Sequence, residues 1–396
     1  MYKQKVQGLA AEYYPEILEI RRKLHQYPEL SFREFKTQAY IKQILKGWGL
    51  EPYDVAGTGV YADLGGVKPG PFIVLRADID ALPIDEDLNI PYVSRNSGVM
   101  HACGHDIHAA SLLGTIRILN ELCDTLPGKV RCIFQPGEEL LPGGAEAVIK
   151  SGILDNPKPD AIIGQHVFPE LYSGEVGFRP GQYMGSTDEI YMVVTGTGGH
   201  AAMPYTLVDP VVIASNLVVS LQQIVSRKAP SHVPTVLSFG KFEAKGATNV
   251  IPEKVRLEGT FRTMNEEWRS GALNEIKKIA RGMVESMGGS LECRIVRGYP
   301  SLVNDKDITA GLFASASEYL GGENVKDLEI RMTGEDFARY SQIIPACFYR
   351  LGTAFKDRAV NYPVHHPKFD PDEESLRTGM GLMAYITVSL LNKSQK

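Results

Sequence analysis

The sequence lacks the features that mark several broad classes of protein. None of its apolar runs approaches the ~18 residues that a membrane-spanning helix needs, so no membrane segment is expected. The residues after Met1 are mixed and polar, so no secretory signal peptide is expected either. No low-complexity tract and no internal repeat is detectable. These absences leave a globular chain of 396 residues, long enough for two domains.

Cysteine is scarce and positive charge is not in excess. The five cysteines are odd in number, widely spaced and without a CxxC pair, which argues against a disulfide framework and for a reducing compartment. The formal net charge of -5 leaves no basic footprint for nucleic acid. We therefore expect a cytoplasmic protein that binds neither nucleic acid nor a membrane.

One stretch, MHACGHDIHAA at 100–110, concentrates potential metal ligands. Cysteine and histidine side chains at this density suit a transition metal such as zinc, manganese, cobalt or nickel. Gly104 lets the backbone turn tightly, so Cys103 and His105 could face one point. A helix is predicted to begin just downstream, at about Ala109. For an isolated Cys-x-His, a buried thiol beside a helix start is the commoner explanation, so the rest of the chain has to decide.

Strands alternate with helices on both sides of this stretch. Apolar strands are predicted at 72–76, 129–134, 160–164 and 346–351. Helices are predicted at 2–26, 33–48, 109–122 and 144–151. This alternation predicts an α/β fold, in which helices flank a sheet with many parallel strands.

Acidic and imidazole side chains follow the predicted strands. Asp78 and Asp80 come after one strand, Glu138 and Glu139 after the next, and His166 after a third. In open α/β sheets, ligands bind outside the carboxyl ends of the strands. Independent surface residues would seldom coincide in this way, so we expect these side chains to share a site.

The pattern changes between residues 186 and 299. Its predicted elements are strand 189–195, helix 209–227, strands 233–244 and 254–264, helix 265–287 and strand 290–297. The order βαββαβ is that of a ferredoxin-like sandwich. A compact unit that interrupts a larger domain suggests a lid. We therefore expect a catalytic domain of residues 1–185 and 300–396 and a lid of residues 186–299.

Eight motifs follow one another along nearly the whole chain: RRxxHxxPEL (21–30), RADIDALP (76–83), HACGHD (101–106), QPxEE (135–139), GGHAAMP (198–204), NVIP (249–252), GEDF (334–337) and HHP (365–367). In this order they resemble the M20 metallopeptidase family, specifically its amidohydrolase branch. That branch contains hippurate hydrolases, N-acyl-amino-acid deacetylases and plant auxin-conjugate hydrolases. The resemblance implies a zinc-peptidase-like mixed sheet flanked by helices, with an inserted ferredoxin-like lid.

The resemblance also implies a site for two divalent metal ions, such as Mn, Zn, Co or Ni. Its ligands, carried over position by position, are Cys103, His105, Glu139, His166 and His365. Cys103 would bridge the two ions as thiolate. Chemistry alone also allows His366, but the family's histidine stands two residues before a proline, which selects His365. Asp78 stands where other members of the wider family place a metal-binding histidine, so Asp78 and Asp80 receive supporting roles, with structural packing as the alternative.

Glu138 carries the chemistry in this interpretation. Of two adjacent glutamates, one can bind metal while the other takes a proton from water and passes it to the leaving nitrogen. The resemblance implies that His200 stabilises the carbonyl oxyanion and that Asn249 and Arg262 bind the substrate carboxylate. From the local sequence alone, His200 could instead be a turn residue and Arg262 a surface residue. The resemblance also implies a homodimer that forms through the lid, with His200 donated in trans.

The leading hypothesis is a dinuclear metal-dependent amidohydrolase that cleaves N-acyl amino acids (acetyl, benzoyl or similar) to a carboxylic acid and a free amino acid. A small-peptide exopeptidase with the same site is the close alternative. A structural zinc protein is a second class, but it would have no use for Glu138 or His200. A cysteine hydrolase with Cys103 as nucleophile is a third class. No residue orients the Cys103–His105 pair as clearly as the metal interpretation accounts for it.

Overall fold

The computed structural model describes residues 2–65 and 68–393, and strands and helices alternate along most of them. The strands are β1 Pro52–Val55, β2 Gly59–Gly65, β3 Lys68–Asp78, β4 Pro127–Gln135, β5 Ala161–Tyr172, β6 Val176–Phe178, β7 Gly181–Met184, β8 Asp188–Thr195, β9 Gly199–His200, β10 Thr235–Ala244, β11 Val250–Ile251, β12 Lys254–Thr263, β13 Ser290–Arg297, β14 Leu302–Asn304, β15 Val325–Asp327 and β16 Ala346–Ala354. The helices are α1 Tyr2–Gln26, α2 Phe35–Gly47, α3 His105–Asn120, α4 Gly144–Lys150, α5 Pro210–Leu221, α6 Glu266–Ser286, α7 Lys306–Leu320, α8 Ala338–Ser341 and α9 Ser375–Lys393.

Eight of the strands form one mixed sheet in the order β1-β2-β4-β3-β5-β16-β6-β15. Its centre is parallel, since β3 pairs in parallel with both β4 and β5, and β16 pairs in parallel with β5. The β1–β2, β2–β4 and β16–β6 pairs are antiparallel. The predicted α/β fold with a large mixed sheet flanked by helices is therefore confirmed.

Three helices pack together beside this sheet and form its main hydrophobic core. They are α1, α3 and α9, and α3 is buried along almost its whole length. Ile17, Leu113, Ile116 and Met380 are fully buried where these helices meet. Burial on nearly all sides explains why α3 is apolar almost all round. Within the described parts of the chain, no helix combines the length and the apolar character needed to cross a bilayer.

The start of α3 differs from the prediction. The helix begins at His105, not at Ala109. Gly104 precedes it with φ +77°, and a Cβ atom at that position would lie 2.7 Å from Val167 Cγ2, so glycine is needed there. His105 and Asp106 are polar residues of the kind expected in a loop, yet both are buried in the first turn of α3. Their polarity therefore marks a site and not a loop.

Other differences concern the ends and the number of elements. The predicted strand 160–164 continues as β5 to Tyr172, so His166 lies within a strand and not after its end. The predicted helix 209–227 is divided into α5 and a π-helical turn at Ile224–Lys228. Helices α7 and α9 were not predicted from the sequence.

The chain divides into two compact units. The first contains the large sheet, and the second consists of Gln182–Leu302 together with Ile330–Glu335. The second unit has a four-stranded antiparallel sheet in the order β10-β12-β8-β13. Alternate residues of β8 (Ile190, Met192 and Val194) are buried in one cluster with residues of α5 and α6. Two helices thus cover one face of this small sheet.

Candidate metal centre

Side chains from distant parts of the first unit meet at Cys103. The Cys103 Sγ atom lies 3.4 Å from His166 Nε2 and 3.3 Å from His365 Nε2. His365 Nε2 is also 3.3 Å from Glu139 Oε1. Cys103 lies just before α3, His166 lies in β5, and His365 lies in the segment before α9. The structure therefore brings together four of the five predicted metal ligands around one sulfur atom.

The fifth predicted ligand, His105, faces the same cluster. Its Nε2 atom is 3.9 Å from Glu139 Oε1. Both atoms are buried, and among the described residues neither makes a hydrogen bond, although Glu139 Oε1 has the ion-pair contact with His365 Nε2. A buried polar atom without a partner is costly, so two such atoms facing each other indicate a missing ligand. One thiol, three imidazoles and one carboxylate form a donor set that fits divalent transition metals.

Hydrogen bonds orient the ligand atoms of two histidines. The Nδ1–H of His105 donates to the Asp80 carbonyl oxygen (2.9 Å) and lies 3.2 Å from Asp80 Oδ1. The Nδ1–H of His166 donates to the carbonyl of Val167 (2.8 Å). When Nδ1 carries the proton, the lone pair of Nε2 is directed toward the cluster. Asp80 therefore supports the site through His105.

The protein groups at the cluster carry an excess of negative charge. Burial lowers the pKa of His105, but the charge of Asp78 and the hydrogen bond to Asp80 outweigh it and raise the pKa to about 10. Burial raises the pKa of the Cys103 thiol well above its usual range, and the charge of Glu139 raises it further. A cation would balance these carboxylates.

Each carboxylate oxygen of Asp78 contacts a neighbouring side chain. One carboxylate oxygen lies 2.5 Å from His108 Nδ1 and the other 2.6 Å from an Arg76 nitrogen. His108 Nε2 accepts the backbone N–H of Val167 (2.9 Å), so His108 is neutral and donates from Nδ1 to Asp78. The sequence analysis gave His108 no role. Its position one helical turn after His105 was the signal that could have found it.

Glu138 is buried beside the cluster and points differently from Glu139. One oxygen of Glu138 accepts the backbone N–H of Asp336 (3.3 Å). A carboxylate oxygen of Glu138 also lies within 4.8 Å of ligand atoms of His105 and Glu139. Asp336, in the GEDF motif, is held by Arg76 (2.5 Å). The two adjacent glutamates thus occupy different environments at one site.

A buried ionic network lies behind the first turn of α3. Asp106 forms a salt bridge with Arg21, whose Nε lies 2.8 Å from its carboxylate, and pairs with His25 Nδ1 (2.8 Å). His25 Nε2 lies 3.0 Å from Glu86. Burial raises the pKa of Asp106, but Arg21 and His25 outweigh it and hold the pKa well below its usual range. The network therefore ties α1 to the helix start that carries His105.

The two adjacent histidines before α9 have different surroundings. His365 faces Cys103 and has φ +66°, an uncommon conformation for a residue other than glycine. Such backbone strain tends to occur at functional sites. The ring of His366 stacks on Tyr362 with 4.5 Å between ring centroids, and its Nδ1 accepts the N–H of Lys368. The structure thus places His365, and not His366, at the cluster.

The three remaining predicted residues lie in the second unit. His200 is exposed in β9, where it pairs with Val250 of β11. The carbonyl oxygen of Asn249 accepts the N–H of Ala201 (3.0 Å), so His200 and Asn249 lie in neighbouring segments. Arg262 is partly buried in β12 and donates to the carbonyl of Met332 (2.9 Å). Their roles toward a substrate stay predictions.

Comparisons with known proteins cover almost the whole chain. The sequence model of peptidase family M20/M25/M40 matches residues 74–388. An N-acetyl-L-cysteine deacetylase of Bacillus subtilis is 42% identical over 366 residues, which cover 91% of this chain and 85% of that protein. An N-acyl-L-amino acid amidohydrolase of Geobacillus stearothermophilus is 40% identical over 305 residues, covering 77% and 82% respectively.

A solved structure is similar along the same length. The YXEP protein of Bacillus subtilis is described as a dinuclear metal binding peptidase from the M20 family. It superposes with a TM-score of 0.81 at 34% identity, covering 96% of this chain and 99% of that one. The similarity therefore includes both the large sheet and the segments that carry the cluster.

Proposed function

Because this chain belongs to peptidase family M20/M25/M40 and is a hydrolase of that family, we propose that it cleaves N-acyl amino acids to a carboxylic acid and a free amino acid. The observation that carries the proposal is the buried Glu138 beside five side chains of ligand type. A structural metal site has no need of this additional carboxylate. Two of the similar proteins, the deacetylase and the N-acyl-L-amino acid amidohydrolase, are named for this reaction.

We propose that the cluster holds two divalent metal ions, either Mn, Zn, Co or Ni. The ligands would be Cys103, His105, Glu139, His166 and His365. Cys103 is the bridging candidate because its sulfur contacts both His166 and His365. The dinuclear description of the similar YXEP protein supports this number of ions. Bound divalent ions supply Lewis-acid polarisation of the amide carbonyl and lower the pKa of the attacking water.

The protein side chains have separate tasks in this proposal. Glu138 takes a proton from the water whose oxygen attacks the carbonyl carbon, and delivers it to the nitrogen as the C–N bond breaks. His200 donates a hydrogen bond to the oxygen that becomes negative. Asn249 and Arg262 bind the carboxylate of the amino acid, and Asp78 and Asp80 hold their histidine neighbours in place.

We also propose that residues 186–299 are a ferredoxin-like lid inserted into a catalytic domain of residues 1–185 and 300–396. The order β8-α5-β10-β12-α6-β13 supports this assignment once the short strands β9 and β11, which pair with each other in a separate sheet, are set aside. Helix α5 leaves Val212 and Val219 49% and 72% exposed, and a second copy of the lid would cover such apolar surface. The proposed assembly is a homodimer in which His200 serves the site of the partner.

The reaction and its metal requirement can be tested together. We expect complete metal removal by a chelator to abolish hydrolysis and Mn, Zn, Co or Ni to restore it. After reconstitution, N-acetyl, N-benzoyl and indole-acetyl amino acids would be compared with dipeptides by kcat/KM. Activity that survives complete demetallation would contradict the metal site. Faster hydrolysis of dipeptides would favour a small-peptide exopeptidase, a candidate supported by the description of YXEP as a peptidase.

Trans donation of His200 predicts complementation between two inactive variants. His200→Ala and Glu138→Ala would be refolded together, so that heterodimers contain one site with both residues intact. We expect measurable recovery of activity in the mixture and none in either variant alone. If heterodimers form but stay inactive while both variants are folded and metal-loaded, His200 acts within its own chain or not at all. A fully active monomer would contradict the dimer itself.

A further inference from the structure

The backbone before Glu138 is held by a carboxylate from a distant part of the sequence, that of Glu34. Glu34 is fully buried, and one of its oxygens accepts the N–H of Gly137 (2.9 Å). The same oxygen accepts the N–H of Phe32 (2.9 Å). The other oxygen accepts the hydroxyl of Thr58. Three donors therefore converge on one carboxylate, an arrangement that leaves it little freedom to move.

A second carboxylate holds the backbone after Glu138. One oxygen of Asp80 accepts the N–H of Glu139 (3.0 Å) and the hydroxyl of Ser31 (2.7 Å). Glu138 thus stands between two amides, each bonded to a buried carboxylate. Both carboxylates also bond to the segment Ser31–Phe32, since Glu34 accepts the N–H of Phe32.

Close packing of Phe32 on Gly137 adds to these hydrogen bonds. Gly137 has φ +62°, and a Cβ atom there would lie 2.4 Å from Phe32 Cζ, so the aromatic ring packs directly on the glycine. Phe32 itself has φ +62°, which is unusual for an aromatic residue and requires support from its surroundings. The hydrogen bond from the Phe32 N–H to Glu34 provides such support. The two backbones are therefore fixed against each other.

We propose that Glu34 is a positioning residue for Glu138, an inference that rests on the proposed role of Glu138 as proton carrier. The Glu138 carboxylate has to reach both the attacking water and the leaving nitrogen, and a displacement of ~1 Å at a reacting group can cost about 100-fold in rate. Glu34 fixes the N–H of Gly137, the residue before Glu138, and thereby restrains the backbone from which the Glu138 side chain starts. Glu34 caps no helix through its side chain, although α2 begins directly after it.

Glu29 provides a matched control in the same segment. Its carboxylate accepts the N–H groups of Lys36 (2.9 Å) and Thr37 (2.8 Å) at the start of α2. Glu29→Ala therefore removes a carboxylate that also bonds two backbone amides, but these amides belong to α2 and not to the segment that carries Gly137 and Glu138. Glu34→Asp withdraws the acceptor by one methylene and keeps the charge, which covers the case that Glu34→Ala does not fold. Glu34→Gln keeps an oxygen acceptor.

The full-length variants would be compared by kcat, KM, metal content and amide hydrogen exchange. For Glu34→Ala and Glu34→Asp we expect kcat to fall by about 20- to 100-fold, with KM and metal content nearly unchanged. We expect exchange at residues 137–139 to accelerate about tenfold as the hydrogen bond is lost. Glu34→Gln should recover most of kcat, and Glu29→Ala should accelerate exchange at the start of α2 without lowering kcat.

Three results would overturn the inference. They are wild-type kcat in folded, metal-loaded Glu34→Asp, loss of metal in parallel with kcat, or an equal loss of kcat in Glu29→Ala. Glu138→Gln separates this inference from the proposed function. A fully active Glu138→Gln overturns the role of Glu138 itself, whereas an inactive Glu138→Gln together with a fully active Glu34→Asp overturns only the role of Glu34.

Discussion

Glu138→Gln is expected to lose turnover by about 10³- to 10⁴-fold, at the upper end of what one proton-transferring group contributes. The reason is that one carboxylate takes the proton from water and returns it to the leaving nitrogen. Glutamine has nearly the same shape and can still accept the N–H of Asp336, so the loop should keep its conformation. A loss of this size corresponds to about 4–5 kcal/mol of transition-state stabilisation.

Elemental analysis and steady-state kinetics on the same preparations would test this. Glu139→Gln is the matched control, because the same change is made one residue away. Glu139 faces His105 and His365, so its variant is expected to lose metal as well as activity. Glu138→Gln should instead contain the wild-type amount of metal and be inactive. Near-normal turnover in a metal-replete Glu138→Gln variant would exclude the proposed role.

The layout of the large sheet follows from signals that are local in the sequence. The strands that become β3, β4 and β16 are short apolar runs between turns or helices, and the parallel arrangement follows from that alternation. Parallel strands bring their carboxyl ends to one edge, which is why Asp78 and Glu138 both lie near His105 although 60 residues separate them along the chain. The strand predicted at 290–297 matches β13 residue for residue.

Two features of the fold could not be predicted in this way, helix α9 and the start of α3. Helix α9 is buried on nearly every side, so its sequence shows no alternation between apolar and polar faces. The start of α3 was missed for the opposite reason, because His105 and Asp106 are polar and buried. In both cases tertiary packing decides the structure, and a local pattern carries no information about it.

The support of the candidate site was beyond sequence reasoning for a similar reason. The hydrogen bond of Glu34 to Gly137 joins positions 103 residues apart, and the pair of Arg21 with Asp106 spans 85. Neither pair has a periodic signal, since each depends on which segments of the chain meet after folding. Four of the five candidate ligands lie in motifs that resemble a known family, and the fifth, His166, was expected from its position after an apolar strand and from the same resemblance.

Cys103→Ala is expected to lower metal occupancy and activity together. The sulfur of Cys103 lies within 3.4 Å of the Nε2 atoms of both His166 and His365, so a bridging thiolate would be shared by both ions. Removing such a thiolate would take one ligand from each ion. We expect an affinity loss of at least about 100-fold, since even residues that only support a ligand contribute 10- to 100-fold. Activity should fall below detection at metal concentrations that saturate the wild type.

Cys132→Ala controls for the loss of a buried thiol as such. Cys132 is fully buried in β4, and among the residues that the structure describes it belongs to no group of side chains close enough together to hold an ion. Its variant should lose some stability through the small cavity and keep both ions. Equilibrium dialysis followed by elemental analysis would count the ions in each variant. Two ions per chain at wild-type affinity in Cys103→Ala would show that the thiolate does not bridge, and the two ions would then have to be held by imidazole and carboxylate groups alone.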